Sequence, residues 1–180
     1  MTSTRRQLMV AMMMTGLIGT GRPVVAASMD APAVGRVRSS HAVIGRVLKE
    51  ASHRSQAFRR LVEIINASDG TVHVEEGKCC QGVRACLVTV TMAGANRNLW
   101  VKVDTGAADV DLMGSIGHEL QHAIEVLSDR TVTNGATMYF FYLKKGSRSQ
   151  TGTFETRVAV EAGEAVRTEV RKDRPRAEAR

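Results

Sequence analysis

The chain has 180 residues, enough for one domain with its own hydrophobic core. Its formal net charge is +7, but residues 1–27 hold three Arg and no acid, and residues 171–180 hold five basic and two acidic side chains. The chain between them is nearly balanced and lacks aromatics interleaved with a basic stripe, which argues against a nucleic-acid-binding protein.

Residues 1–27 have the three parts of a secretory signal peptide. Arg5 and Arg6 form a positive start, residues 8–14 an apolar run, and residues 24–27 a small-residue end. The apolar run is too short for a membrane span. The sequence therefore predicts a cleaved signal peptide, export to the periplasm or the outside, and no stable membrane span afterwards. An uncleaved leader that anchors the protein in a membrane is the alternative.

The rest of the chain divides into three parts. Residues 28–40 are predicted to be a flexible N-terminus, residues 41–170 the folded domain, and residues 171–180 a solvated basic tail. At the start of the domain, apolar residues at helical spacing predict one helix over 43–51 and a second helix capped by Ser55.

The hydrophobic period then changes from helical to alternating. Further elements are predicted in this order: strands at 71–76, 85–92 and 99–103, a helix over 110–127 with Asp111 as N-cap, a short apolar segment at 138–143, and a helix over 154–170 capped by Thr153. This order predicts an α+β fold with a small, mainly antiparallel sheet packed on helices.

Three cysteines, Cys79, Cys80 and Cys86, lie within eight residues. In an exported protein they predict one disulfide, from Cys79 or Cys80 to Cys86, with one thiol left over. Their spacing lacks the paired Cys-x-x-Cys of a structural zinc site.

The most specific motif is His118-Glu119-Leu120-Gln121-His122. On a helix, His118 and His122 lie about 40° apart and project from one face, and Glu119 lies about 100° further round. This arrangement holds zinc between two imidazoles and leaves Glu119 to act as a general base on a water that zinc acidifies. Apolar residues occupy the opposite face, as expected for a core-facing helix.

Two imidazoles leave a tetrahedral zinc one protein ligand short, with a further position for water. On the predicted helix 154–170, Glu155 falls on the core face, whereas Glu161 and Glu164 fall on the solvent face. This favours Glu155 as the third ligand, since an inward carboxylate needs a partner. Glu125, one turn along the motif helix, is the alternative third ligand, or a residue that orients a ligand.

The motif over 118–124, followed by Glu155 on a later helix, resembles the zincin metallopeptidases, and more narrowly the gluzincins. The resemblance implies a mixed sheet over the motif helix, with substrate bound as an extended strand along the sheet edge. It also implies that His118, His122 and Glu155 are zinc ligands and that Glu119 is the general base.

Two features of that family are missing. The Asn-Glu-x-x-x-Ser-Asp pattern around the third ligand is absent, and so are the downstream helical subdomain and its catalytic His. Tyr139 and Tyr142 are candidates to polarise the substrate carbonyl instead.

Together these features predict an exported zinc-dependent peptidase that cuts peptide bonds in extended peptides. The alternatives are a catalytically inactive, zinc-stabilised binding module and a metallohydrolase acting on cell-wall amide bonds. Glu119 disfavours the binding module, because a structural zinc site needs no base and usually has four protein ligands.

We expect the exported protein to begin just after Ala26 or Ala27, because signal peptidase cuts after small residues. N-terminal sequencing of the periplasmic or secreted form measures this. An intact Met1 on a membrane-bound protein would instead support the anchor.

Overall fold

The computed structural model describes residues 33–79, 83–106, 110–148 and 154–173. The helices are α1 (Ala42–Arg54), α2 (Gln56–Asn66), α3 (Val110–Ser128), α4 (Gly135–Lys145) and α5 (Arg157–Lys172). The strands are β1 (Ala33–Val34), β2 (Val37–Arg38), β3 (Gly70–Glu76), β4 (Ala85–Ala93), β5 (Asn96–Val103), β6 (Ser147–Arg148) and β7 (Phe154–Glu155). The predicted signal peptide, residues 28–32 and tail residues 174–180 lie outside the described residues.

The α+β class is confirmed, but the expectation of a mainly antiparallel sheet is wrong. The five-stranded sheet has the order β1-β2-β3-β5-β4, in which β2–β3 and β3–β5 are parallel and β1–β2 and β4–β5 antiparallel. Strands β4 and β5 are consecutive in sequence and form an antiparallel hairpin. Because β5 rather than β4 lies beside β3, the central pair of the sheet is parallel. Part of the stretch predicted to be flexible, 33–38, supplies strands β1 and β2.

One face of the sheet packs on the helices. Along β3 and β5 the residues that face the helices are fully buried, namely Val72, Val74, Leu99, Val101 and Val103. The neighbouring helix α2 begins as predicted, because Ser55 Oγ accepts a hydrogen bond from Phe58 N at 3.0 Å. Glu169 of α5 accepts from Ser55 Oγ and Ala57 N, which ties the start of α2 to α5.

The motif helix α3 was correctly predicted, and α5 lies unusually close to it. A Cβ added at Gly163 of α5 would lie 3.0 Å from the Gly114 carbonyl oxygen and 3.1 Å from His118 Cβ. A Cβ at Gly117 of α3 would lie 2.8 Å from Val166. Because these glycines have no side chain, the α5 backbone can approach the face of α3 that carries His118.

Arg97 of β5 holds the other end of α3. The side chain is 2% exposed and forms an ion pair with Asp69 at 2.8 Å. Its guanidinium also donates to carbonyl oxygens at and beyond the end of α3, those of Val126, Leu127, Asp129 and Val132. The last carbonyls of a helix lack intrahelical partners, so Arg97 satisfies them and fixes α3 to the sheet.

Two helix starts differ from the predictions. The segment expected as a short apolar stretch at 138–143 belongs to helix α4, which begins with a capping box of Asn134 and Thr137. Asp111 lies within the first turn of α3 rather than before it, and pairs with Arg171 at 2.8 Å. The favourable position of an acid in a first turn explains its place there.

A disulfide joins Cys79, which follows β3, to Cys86 of β4. It is one of the two pairings that the sequence left open, and Cys80 lies outside the described residues. No helix in the described part of the chain is both long and apolar enough to cross a membrane.

We expect Arg97→Ala to lower the free energy of unfolding by about 3 kcal/mol, the lower end of the range for a broken buried ion pair, because Asp69 remains partly exposed. Urea denaturation measures the change. Arg157→Ala is the matched control, since Arg157 is 85% exposed and pairs on the surface with Glu161. Equal stabilities of the two variants would contradict the anchoring role of Arg97.

Candidate metal centre

Three predicted ligands converge in the structure. His118 and His122 lie one turn apart on α3, with ring centroids 4.7 Å apart. Glu155 places a carboxylate oxygen 3.1 Å from His118 Nε2. One ligand atom from each residue lies within 4.8 Å of the other two, so the group can hold a metal ion.

The environment of His122 fits such an ion. Its Nε2 atom is buried and has no hydrogen-bond partner among the described residues. An unpaired buried polar atom is costly, and donation of its lone pair to a cation removes that cost. Two imidazoles and a carboxylate are a donor set that suits a divalent transition metal.

Glu155 lies on a different element from the one that the sequence predicted. It lies in β7, which pairs with β6 through Ser147, and not in the first turn of a helix. Helix α5 starts later, at Arg157, with Thr156 as its N-cap, whereas the predicted cap Thr153 lies outside the described residues. The helical-wheel argument for Glu155 is therefore wrong, although its carboxylate does lie beside His118.

Glu119 lies beside the ligand group. The residue is 7% exposed, and its Oε2 accepts a hydrogen bond from Leu87 N at 2.7 Å. Leu87 adjoins a bulge in β4, where the pairing with β5 shifts and Val88 is left out of register. The other carboxylate oxygen, Oε1, lies 4.0 Å from His118 Nε2. Burial raises the pKa of Glu119, which makes it a better proton acceptor than an exposed carboxylate.

The contact between His118 and Glu155 is electrostatic as well as geometric. The hydrogen bond from His118 lowers the pKa of Glu155, against a smaller opposing effect of burial. Burial alone would lower the pKa of His118, but the hydrogen bond to Glu155 and the charges of Glu119 and Glu155 together raise it. Without a metal, each group therefore favours the charged form of the other.

Glu125 is placed outside the ligand group. Its Oε2 lies 3.0 Å from His122 Nδ1, which leaves Nε2 as the ring nitrogen without a partner among the described residues. Burial opposes ionisation of Glu125, but hydrogen bonds from His122 and Thr156 prevail and lower its pKa. Of the two roles open to Glu125, orienting a ligand fits this position.

The two tyrosines have different surroundings. Tyr142 is buried, and its hydroxyl donates to the His122 carbonyl oxygen at 2.9 Å. Burial, with the charges of Glu125 and Glu119, raises the pKa of Tyr142. Tyr139 is 45% exposed and faces the cleft beside the site. The sequence did not predict that Tyr142 supports the motif helix, since an aromatic residue gives no sign of its hydrogen-bond partner.

A cleft of about 420 Å³ opens over the ligand group. Residues 83–88 around the start of β4 form one wall, and Met138, Tyr139 and Phe154 line another. Among the described strands β4 pairs with β5 alone, so it is an edge strand of the sheet. The cleft therefore joins the candidate metal centre to an edge strand of the sheet.

The chain matches no protein-family model, no curated protein and no solved structure. The fold and the site define an α+β protein with a small mixed sheet and a His-His-Glu group that can hold a metal ion. The resemblance to zincins rests on the sequence motif alone and stays a prediction.

In the metal-free protein, the His118–Glu155 pair should contribute to the free energy of unfolding by an amount that depends on pH. The pKa of His118 is raised above 6.5, so its contribution to stability is complete below pH 6.5 and is lost as pH rises through the raised pKa. The pKa of Glu155 is lowered from 4.5, so its contribution is present above pH 4.5 and is lost as pH falls through the lowered pKa.

We therefore expect Glu155→Gln to destabilise the metal-free protein most between pH 4.5 and 6.5, and least above the raised pKa of His118. Urea unfolding in the presence of a chelator, over a pH series, measures the difference. A difference that does not change with pH would contradict the ion pair.

Proposed function

We propose that this chain is an exported zinc-dependent peptidase that hydrolyses peptide bonds in extended peptides. The observation that carries the proposal is the buried Glu119 carboxylate held beside, but outside, the group of His118, His122 and Glu155. Three protein ligands leave a position for a reacting group, whereas structural zinc sites usually have four. The Cys79–Cys86 disulfide and the composition of the first 27 residues support export.

Zinc suits two imidazoles and a carboxylate, and when bound it would polarise a carbonyl and acidify a water. His118, His122 and Glu155 would hold it. Glu119 would take the proton of the attacking water and pass it to the leaving amine, as a general base and then a general acid. The hydrogen bond from Leu87 N fixes the carboxylate for this task, and burial raises its pKa, which makes it a stronger base.

The cleft supports an extended peptide as the substrate. An open strand edge such as β4 can pair with the backbone of a peptide. Met138, Tyr139 and Phe154 offer apolar walls that favour a bulky apolar side chain near the scissile bond. Tyr139 faces the cleft with its hydroxyl uncommitted to the motif helix, in contrast to Tyr142, and is our candidate to donate a hydrogen bond to the reacting carbonyl.

Glu119→Gln should keep about one zinc per chain and lower hydrolysis by at least 100-fold, because Gln can accept from Leu87 N but cannot take a proton. Glu155→Ala should lose tight zinc binding, since two imidazoles alone form a weak site. Metal analysis and mass spectrometry of a digested peptide library measure the two effects.

The matched control is Glu161→Ala, which removes a surface carboxylate paired with Arg157 and should change neither property. Peptidase activity that survives Glu119→Gln would contradict the proposal. Full zinc binding without any hydrolysis by the wild-type protein would favour the binding module.

A further inference from the structure

We propose that Glu125 and Thr156 form a positioning bridge, which holds the second imidazole ligand and the segment of the third ligand at a fixed separation. The inference rests on the metal site of the proposed function, but not on peptide hydrolysis.

The bridge consists of two hydrogen bonds to one carboxylate. Glu125 Oε2 lies 3.0 Å from His122 Nδ1, and Glu125 Oε1 accepts from Thr156 Oγ1 at 2.6 Å. The side chains of Glu125 and His122 are 15% and 6% exposed, so little water competes for these bonds. Thr156 directly follows Glu155 in the chain. One side chain thus links both parts of the ligand group without belonging to it.

The contact with His122 also sets which ring nitrogen is available for a metal. An ionised carboxylate only accepts hydrogen bonds, so His122 Nδ1 must carry the hydrogen that it donates to Glu125. In a neutral ring the lone pair then lies on Nε2, the buried atom that has no partner among the described residues. Glu125 therefore selects the tautomer that a metal requires.

The contact with Thr156 fixes the segment of the third ligand. Thr156 Oγ1 donates to Glu125 and accepts from Ala159 N at 3.2 Å, which makes it the N-cap of α5. The residue before it, Glu155, is thereby held between a two-residue strand pairing and a helix cap. Without Glu125 this segment would lose the hydrogen bond that Thr156 makes to the motif helix.

Tyr142 contacts the same two segments. Its hydroxyl donates to the His122 carbonyl oxygen, and its ring stacks on Phe154 with centroids 5.9 Å apart. Phe154 directly precedes Glu155. Tyr142 holds the backbone of His122, and Glu125 holds its imidazole. Tyr142 also lies close enough to the Glu125 carboxylate to share a hydrogen bond with it, so the variants that test the bridge leave Tyr142 in place.

The test measures metal binding rather than activity. Zn²⁺ affinity is measured by competition with a chromophoric chelator, and ligand geometry by the visible spectrum of the Co²⁺-loaded protein. We expect Glu125→Ala to weaken Zn²⁺ binding by about 10–100-fold and to alter the Co²⁺ spectrum. Glu125→Gln should recover part of the affinity, because its amide oxygen can still accept from His122 Nδ1.

Variants at the other end of the bridge give a second, independent test. Thr156→Val should weaken Zn²⁺ binding, and Thr156→Ser should restore it, because serine keeps both the donor to Glu125 and the cap of α5. Glu161→Ala, on the exposed face of α5, is the control and should match the wild type in both measurements. If Glu125→Ala does not fold, the comparison of Thr156→Val with Thr156→Ser tests the bridge instead.

Wild-type Zn²⁺ affinity and Co²⁺ spectra in Glu125→Ala and Thr156→Val would overturn the bridge and leave the peptidase proposal intact. A wild-type protein that binds no Zn²⁺ would instead overturn the metal site, and the bridge with it.

Discussion

The close contact between α3 and α5 is the constraint on which the candidate centre depends. Gly163 lies against the Gly114 carbonyl oxygen and His118 Cβ, and an added Cβ, at 3.0 and 3.1 Å from these atoms, would force a neighbour to shift. Close-packed interiors accommodate such shifts only at a cost in stability. Because β7 leads directly into α5, the position of α5 also determines where Glu155 meets the motif helix. A glycine contact therefore sets the distance between ligands that lie 37 residues apart in sequence.

Other contacts fix the motif helix to the rest of the fold. Arg97 fixes its C-terminal carbonyls to the sheet and to Asp69, and Tyr142 holds the His122 carbonyl oxygen. Leu87 of the edge strand fixes the carboxylate of Glu119. A site held on rigid elements needs little reorganisation when a charged group binds, which is a requirement for strong metal binding and for catalysis. The same edge strand borders the cleft, so one strand both holds the carboxylate of the proposed base and forms part of the proposed substrate surface.

The sequence predicted elements whose pattern is local. The motif helix was expected over 110–127 and spans Val110–Ser128, because its apolar spacing persists for five turns. Ser55 was correctly predicted as a cap from its position before an apolar run. The parallel pairing of β3 with β5 could not be predicted, because alternation shows which face of a strand is buried and not which strand lies beside it. Helix α4 was missed because its aromatic residues are not confined to one face, and Phe140 is exposed while Phe141 is buried.

The candidate site was predictable only in part, for the same reason. His118, Glu119 and His122 follow from one helix and one motif. Glu155 was selected by placing it on a helix predicted from residue 154, whereas the helix starts at Arg157, after Glu155. Arg97 gave no signal at all, because a lone arginine near a turn is normally solvated, and its partners are carbonyls about 30 residues away. Long-range contacts of this kind do not affect the spacing of apolar residues along the sequence, so that spacing cannot predict them.

The most direct measurement is a crystal structure of the zinc-loaded protein with anomalous data collected at the zinc edge. Our account predicts one anomalous peak per chain, about 2.0–2.2 Å from His118 Nε2, His122 Nε2 and a Glu155 carboxylate oxygen, with Glu125 still on His122 Nδ1. A peak bound by Glu125 instead of Glu155, or no peak between the two imidazoles, would contradict it.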